Sequence, residues 1–349
     1  MDINVSSYQK QGDQDMNIYD IAKLAGVSIA TVSRVVNGSP RVSEKTRQKV
    51  LSVMEENHYT PNVFARGLGL DSMQTIGIIC PDVADAYMAR AVSFLERRLK
   101  EYGYDCILYC SGHDQEKKEE AVDLIMKKRI DALILVGSTY TGYGDDDSSS
   151  VEYIRRAAGR LPVFLINGKI SGENIYSVYN RDEEAVYDAV SRLIRSGRKR
   201  ILFLTDSRSY SVAQKMEGYE RALRENDLPV LGELKLLTAN RIHLVRDILL
   251  ARRTLEYDSV LATDDALAVG AVKCANAKGI KIPEEVSVIG YNNSEYSVCC
   301  EPELTTIDNT AEKLCNLTID NMMCLLKGEE VPAEVPVECM LVKRCTTDF

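Results

Sequence analysis

The chain has 349 residues, 45% of them apolar and 27% charged, with a formal net charge of −9, as in a globular protein of two or three domains. Its longest apolar runs are strand-sized, as at 132–136, and the first 15 residues have no apolar core, which argues against a membrane helix and a signal peptide. Ten scattered cysteines without zinc-site spacing indicate reduced thiols. We therefore expect a cytoplasmic protein with no membrane segment, no metal and no cofactor.

The charge is unevenly distributed along the chain. Residues 16–70 carry seven Lys or Arg against four acids, a net charge of +3, whereas residues 1–15 carry −2 and the remainder −10. A small basic head on an acidic body indicates that only the head binds a polyanion. Residues 1–15 are expected to be a disordered extension or the result of a misassigned start codon.

Three short helices are predicted in the head, over residues 16–60. Asn17, Ser28 and Ser43 each have the side-chain oxygen that caps a helix start, whereas Gly26 and the Asn37-Gly38 pair end the first two helices. The apolar residues predicted to face inward are Ile21, Leu24, Ala25, Val32, Val35, Val36, Val50, Leu51 and Met54. Two short helices around a four-residue turn, braced by a third, form the helix-turn-helix pattern.

The outward face of the second helix consists of small and polar side chains. This face comprises Ile29, Ala30, Thr31, Ser33, Arg34 and Asn37. Small residues at its start allow a helix to enter the major groove, where Arg34 can bind guanine or a phosphate. The hydroxyls and the amide can bind phosphate oxygens. A surface three-helix bundle with a solvated polar face is the alternative.

The segment at 61–72 is apolar for a linker and has a possible helix cap at Asn62. Phe64, Ala65, Leu68 and Leu70 could either pack or wedge between base steps in the minor groove. Gly67 and Gly69 lower the helix propensity. We therefore predict a hinge that is largely unfolded until DNA orders it.

The sequences "IYDIAKLAGVSIATVSRVVNGSPRVSEKTRQKV" and "YTPNVFARGL" resemble the DNA-binding head and hinge of the LacI/GalR family of bacterial repressors. The resemblance implies that Ile29, Ala30 and Arg34 read bases and that Ala65 and Leu68 enter the minor groove, with Leu68 intercalating. Gly67 stands where many members have Ser, which bears on hinge stability. The complete predicted DNA-binding set is Ser28, Ile29, Ala30, Thr31, Ser33, Arg34, Asn37, Asn62, Ala65, Arg66 and Leu68.

From Thr75 onward, apolar strand-sized runs alternate with helical patterns in two consecutive sets. Such alternation predicts parallel sheets covered on both faces, arranged as two doubly wound lobes with a ligand crevice at the carboxyl ends of the strands. The body spans 73–349. We place the first lobe at about 73–173 and 306–335, and the second at about 174–305 and 336–349.

Polar side chains follow several of the predicted strands. Asp82, Asn167, the Asp264-Asp265 pair and the Asn292-Asn293 pair occupy such positions, and Tyr87 and Met88 open the first body helix. Fixed polar and aromatic groups around a cleft suit a polyhydroxyl ligand. The same residues could equally be ordinary loop residues that cap helices. The sequence neighbours Asp264 and Asp265 should point apart.

The LacI/GalR resemblance continues through the body in "KMEGYERAL", "GYNNSEYSVCCEPELTTI" and "VECMLVKRCTT". It implies a periplasmic-binding-protein-like body whose effector pocket contains Asp82, Tyr87, Met88, Asn167, Lys215, Asp264 and Asn292. Three positions depart from the usual pattern: Lys215 replaces Arg, Asp264 replaces Asn, and Asn292 replaces Asp. We therefore expect a ligand, or a ligand pose, that differs from that of the simple sugar-binding members.

The sequence contains no phosphate-binding loop, nucleophile elbow, zinc-protease motif or Cys/His pair, and its three histidines lie in unrelated segments. The favoured function is a transcriptional repressor, not an enzyme. It would bind a palindromic DNA operator as a homodimer, because no leucine heptad follows the last family segment, and a small carbohydrate effector would control it. The alternative is a sugar-binding or carbohydrate-modifying protein with a vestigial head. Effector identity, operator sequence and the direction of control stay open.

Overall fold

The computed structural model describes residues 16–36, 39, 41–57, 59, 72–142, 149–252 and 256–349. The chain divides into two compact units, Met1–Met73 and Gln74–Phe349, which we call the head and the body. Within the described ranges, no helix is both long enough and apolar enough to cross a membrane.

Among the described residues of the head, three helices are present: α1 (Ile18–Ala25), α2 (Ile29–Val36) and α3 (Glu44–Glu56). Asn17 and Asp20 form a capping box at the start of α1, and Gly26 ends this helix with a φ of 62°. The Ser43 side chain accepts a hydrogen bond from the Thr46 backbone N–H at the start of α3. The predicted caps and the predicted stop at Gly26 are thus confirmed.

The core of the head is small and consists mainly of aliphatic side chains. Its buried members are Ile21, Ala22, Ala25, Val32, Val35, Val50 and Met54. Val36 is only partly buried. The predicted inward positions of Leu24 and Leu51 are wrong, because these side chains are 55% and 42% exposed. On α1, the buried residues are Ile21, Ala22 and Ala25 instead.

The body contains two six-stranded sheets. The first has the order β11-β5-β4-β3-β1-β2, formed by β1 (Thr75–Cys80), β2 (Asp105–Cys110), β3 (Ala132–Val136), β4 (Val163–Ile166), β5 (Ile175–Asn180) and β11 (Glu334–Val337). The second has the order β12-β10-β9-β8-β6-β7, formed by β6 (Ile201–Thr205), β7 (Lys235–Leu237), β8 (Ser259–Ala262), β9 (Ser287–Tyr291), β10 (Thr305–Asp308) and β12 (Met340–Val342). The described pairings are parallel except for β10 with β12.

Helices cover both faces of each sheet. On the first sheet, α4 (Ala86–Glu101) and α12 (Ala311–Leu326) pack on one face and α5 (Gln115–Met126) and α6 (Glu152–Ala158) on the other. On the second sheet, α7 (Asp182–Arg195) and α8 (Tyr210–Glu225) oppose α9 (Ile242–Ala251) and α10 (Asp265–Lys278), and the short α11 (Glu295–Cys299) follows β9. The two doubly wound lobes predicted from the sequence are therefore confirmed.

Three short segments connect the lobes, at 180–182, 308–311 and 337–340. The structure therefore differs from the predicted lobe boundaries near 173, 305 and 335. Strand β5 adds 175–180 to the first sheet, and β10 keeps 305–308 in the second. Both strands contain Tyr, Ser, Thr or Asn instead of a continuous apolar run, so the apolar pattern did not reveal them.

Candidate nucleic-acid interface and effector site

Helix α2 presents one exposed face. Ile29 is 42% exposed, and Ala30 and Arg34 are also exposed, whereas Val32 and Val35 on the opposite face are buried in the head core. The Arg34 guanidinium has no hydrogen bond or ion pair to another described residue. This face therefore offers a small apolar start followed by a free cation, as binding in the major groove requires.

Ser28 and Thr31 shape the start of α2. The Ser28 hydroxyl accepts a hydrogen bond from the Thr31 backbone N–H at 3.1 Å, and the two hydroxyl oxygens lie 2.8 Å apart. This cap confirms the predicted start of the helix. Ser28 is exposed, whereas Thr31 and Ser33 are partly buried.

Other segments of the head also carry exposed cations. These are Lys23, Arg41, Lys45 and Lys49. Arg47 is different, because its side chain is only 21% exposed and its guanidinium donates to the Ser39 carbonyl oxygen at 2.6 Å. The head thus offers a cationic surface suited to phosphate contacts. The predicted DNA-binding residues Asn37, Asn62, Ala65, Arg66 and Leu68, and with them the hinge at 61–72, lie outside the described residues.

In the body, Asp264 and Asn292 are brought together at the carboxyl edge of the second sheet. Asp264 Oδ1 accepts the Ala266 N–H at 2.8 Å as the cap of α10, and its Oδ2 accepts from Asn292 Nδ2 at 2.8 Å. Asn292 Oδ1 in turn accepts from Asn309 Nδ2 at 2.8 Å. Asp264 therefore caps a helix, as the alternative interpretation predicts, and also binds Asn292, another residue of the predicted effector pocket.

Asp264 lies in a strongly acidic environment. Burial, with smaller contributions from the nearby carboxylates of Asp206, Asp265 and Asp85, raises the pKa of its carboxyl group to about 7, and the hydrogen bond from the Ala266 N–H opposes this shift. The carboxyl group therefore titrates near neutrality.

We expect Asp264 to contribute a decline in the stability of the ligand-free protein as the pH rises from about 4 to about 7, because folded Asp264 keeps a proton there that the unfolded chain has lost. Asp264→Asn cannot titrate and should make this decline shallower while keeping the helix cap. Urea denaturation followed by circular dichroism at several pH values measures the slope. Wild type and variant with parallel pH profiles would contradict the assignment.

Lys215 is buried and turned into the second lobe. Its ammonium lies 3.5 Å from the centroid of the Tyr291 ring and 3.4 Å from the Thr263 carbonyl oxygen. The Tyr291 hydroxyl donates to buried Asp182, which also accepts from Ser211. The Lys215 ammonium is therefore held in place by Tyr291 and Thr263. Burial raises the pKa of Asp206, and the positive charge of Lys215 partly opposes this shift.

Asn167 and Tyr87 form the pair contributed by the first lobe. Asn167 Nδ2 donates to the Tyr87 hydroxyl at 2.8 Å, whereas Asn167 Oδ1 is buried without a partner among the described residues. Asn167 adopts the left-handed conformation, with φ 61°, immediately after β4. Burial raises the pKa of Tyr87 well above its ordinary value, so this hydroxyl stays protonated.

The other two predicted pocket residues of the first lobe have different surroundings. Asp82 is exposed and accepts a hydrogen bond from the Ala84 N–H at 2.9 Å within its own loop. Met88 packs against the first-lobe core, and its Cε lies 2.6 Å from where a Cβ on Gly137 would stand. The structure therefore gives Asp82 a role in its loop and Met88 a role in packing.

Sequence reasoning missed Asp206 and Asp85. Asp206 directly follows β6, at the same sheet edge as Asp264, and its raised pKa reflects burial first, with Asp85 as a further contribution. Asp85 caps α4 by accepting the Met88 N–H at 3.0 Å. The rule that selected Asp264, a polar residue directly after an apolar strand, applies equally to Asp206.

The lobes also contact each other directly beside this site. Ser138 Oγ donates to Ser209 Oγ at 3.0 Å, and Arg90 donates to the Asn293 carbonyl oxygen at 3.1 Å. Among the residues that the structure describes, no three His, Cys, Asp or Glu side chains are grouped to hold a metal ion. The arrangement suits hydrogen bonding to a ligand between two lobes.

Comparison with known proteins agrees with both units. Residues 17–62 match the model of bacterial regulatory proteins of the lacI family, and residues 190–347 match a periplasmic binding protein-like domain. A helix-turn-helix transcriptional regulator of Lachnoclostridium phytofermentans is 48% identical over 96% of this chain and all of its own length. Catabolite control protein A of Priestia megaterium is 33% identical over 84% of this chain and 87% of its own.

Solved structures give the same result. The lac repressor dimer bound to operator and the anti-inducer ONPF is similar with a TM-score of 0.84 and 26% identity, over 96% of this chain and 99% of that chain. The exposed face of α2, the two-lobed body and these similarities lead to one conclusion. The chain is a DNA-binding, helix-turn-helix transcriptional regulator and belongs to the LacI family of bacterial regulatory proteins.

Proposed function

We propose that this regulator is a repressor that binds a palindromic operator as a homodimer in the cytoplasm and has no enzymatic activity. The observation that carries the proposal is the exposed α2 face on a cationic head, with Arg34 free of partners among the described residues. The caps and core of the head are intact, which argues against a vestigial head. Two such heads related by a two-fold axis would read two half-sites.

Apolar side chains on the second lobe support a homodimer. Leu244 and Ile248 lie one helical turn apart on α9 and are 39% and 38% exposed. Tyr296 and Val298 on α11 are 43% and 45% exposed. Burying such residues against a second copy would be favourable. The similar lac repressor structure is also a dimer.

The effector we propose is an uncharged carbohydrate bound between the Asp264–Asn292 pair of the second lobe and the Asn167–Tyr87 pair of the first lobe. Asp85, Asp206 and Asp264 make this region acidic, and Lys215 is already engaged with Tyr291 and Thr263. Asn167 Oδ1 and Asn309 Oδ1 are further acceptors without a described partner. Carboxylates and free acceptors favour ligand hydroxyl donors and disfavour a phosphate or carboxylate on the ligand.

A thermal-shift screen tests the effector class. Neutral mono- and oligosaccharides are compared with their uronic acid and phosphorylated counterparts, and we expect the best neutral sugar to bind at least about tenfold more tightly than its anionic counterpart. Asp264→Ala should abolish the shift, whereas Asp123→Asn, an exposed carboxylate on α5, should keep it. Stronger binding of the anionic counterpart would overturn this proposal.

A further inference from the structure

The strand register places two cysteines side by side at the carboxyl edge of the first sheet. Strands β1 and β2 are parallel, and Cys80 is the register partner of Cys110 at the last position of both strands. Residues paired in this way point to the same face of the sheet, and adjacent strands lie about 4.8 Å apart. A disulfide needs a Cα separation of roughly 4.4–6.8 Å, so the two strands can accept one without moving apart.

The two thiols differ in access but interact with each other. Cys80 is fully buried, Cys110 is exposed, and both are free thiols. The two thiols occupy paired register positions, and Cys110 contributes to a raised pKa of the Cys80 thiol. Burial, and to a smaller extent the nearby Cys110, raises the pKa of Cys80 to about 12, so Cys80 stays protonated at neutral pH. An oxidant therefore meets Cys110 first, with Cys80 held beside it.

We propose that Cys80 and Cys110 are an oxidative modification site at which a peroxide forms an intrachain disulfide. The Cys110 thiolate attacks the peroxide O–O bond, becomes a sulfenic acid and releases hydroxide or the corresponding alkoxide. The Cys80 sulfur then attacks the Cys110 sulfur, the Cys110 S–O bond breaks, and the Cys80 proton and the hydroxyl group leave as water. The two thiols lose two electrons in total, which the peroxide takes up, and a dithiol reductant reverses the bond by exchange.

Short loops follow both cysteines at this edge of the first sheet. Cys80 precedes Pro81 and Asp82, and Cys110 precedes Ser111, whose hydroxyl lies 2.7 Å from the Tyr140 hydroxyl. The backbone already joins the two loops, because the Ser111 N–H donates to the Cys80 carbonyl oxygen at 2.9 Å. The disulfide would add a covalent link at this position, closing a loop that constrains the unfolded chain.

Hydrogen peroxide treatment of the folded, full-length protein tests the proposal. We expect an intrachain Cys80–Cys110 peptide pair by mass spectrometry, lighter than the two free thiols by about 2 Da, reversal by dithiothreitol and a higher melting temperature for the oxidised protein. The exposed Cys299 and Cys345 serve as internal controls and should remain open to alkylation.

Two variants separate the steps. In Cys80→Ser, dimedone should trap a persistent sulfenic acid on Cys110, whereas in wild type the disulfide should replace that adduct. In Cys110→Ser, Cys80 should stay reduced. Alkylation of both thiols after peroxide treatment, a crosslink that forms only in urea, or a crosslink between two chains would each overturn the proposal.

Discussion

Replacing Asp265 with alanine should lower the free energy of unfolding by about 3–5 kcal/mol, because it removes the acceptor of several buried hydrogen bonds. Asp265 is 0% exposed. Its carboxylate accepts from the Ser294 N–H at 2.7 Å, the Ser294 hydroxyl at 2.8 Å and the Thr306 hydroxyl at 2.6 Å. Gly290 leaves the necessary room, since a Cβ there would stand 2.3 Å from Asp265 Oδ1.

The neighbouring Asp264→Ala variant is the matched control for this prediction. It loses one helix cap, which costs about 1 kcal/mol, and the hydrogen bond from Asn292, and in both variants the removal of a carboxyl group with a raised pKa offsets part of the loss. We expect its stability to stay within about 1 kcal/mol of wild type. Urea denaturation followed by circular dichroism compares the two variants. Equal losses of stability in the two variants would contradict the prediction that Asp265 contributes more to stability than Asp264.

Arg34→Ala should weaken operator binding by about 1–3 kcal/mol and reduce the preference for operator over random DNA. Arg34 lies on the exposed face of α2 and is free to reach a base edge. An operator selected from random duplexes with the purified protein supplies the target, and fluorescence anisotropy gives the affinities.

Lys23→Ala is the matched control, because it removes the same charge from the exposed surface of α1. We expect this change to weaken binding to operator and to random DNA by the same factor, because the lysine charge interacts with the phosphates of both duplexes. An Arg34→Ala variant that keeps the wild-type specificity ratio would make Arg34 a phosphate contact instead of a base reader.

Local chemistry made the head predictable. Asn17, Gly26 and Ser43 act on backbone groups within one helical turn, so their roles follow from nearby sequence. Leu24 and Leu51 were misplaced because the packing of the three helices decides which apolar side chains enter the core of the head. Residue type alone does not contain that information.

In the body, too, features set by nearby residues were predictable, whereas features set by contacts distant in sequence were not. Apolar strands were recognisable, whereas Tyr- and Asn-containing β5 was not, which shifted the lobe boundaries. The prediction that Asp264 and Asp265 point apart is confirmed: Asp264 bonds Asn292, and Asp265 bonds Ser294. The contribution of Asn309 was missed because Asn309 follows β10, whose Thr-rich sequence has no continuous apolar run to mark the end of a strand.

The central claim is that a cationic head binds duplex DNA and that ligand binding to the body changes this affinity. Anisotropy titrations of labelled operator at stepped salt concentrations, with and without the sugar selected by thermal shift, test it most directly. We expect log affinity to fall linearly with log salt, and the sugar to change operator affinity by roughly 5- to 150-fold. Absence of salt-dependent binding to any duplex, with or without the sugar, would contradict the claim.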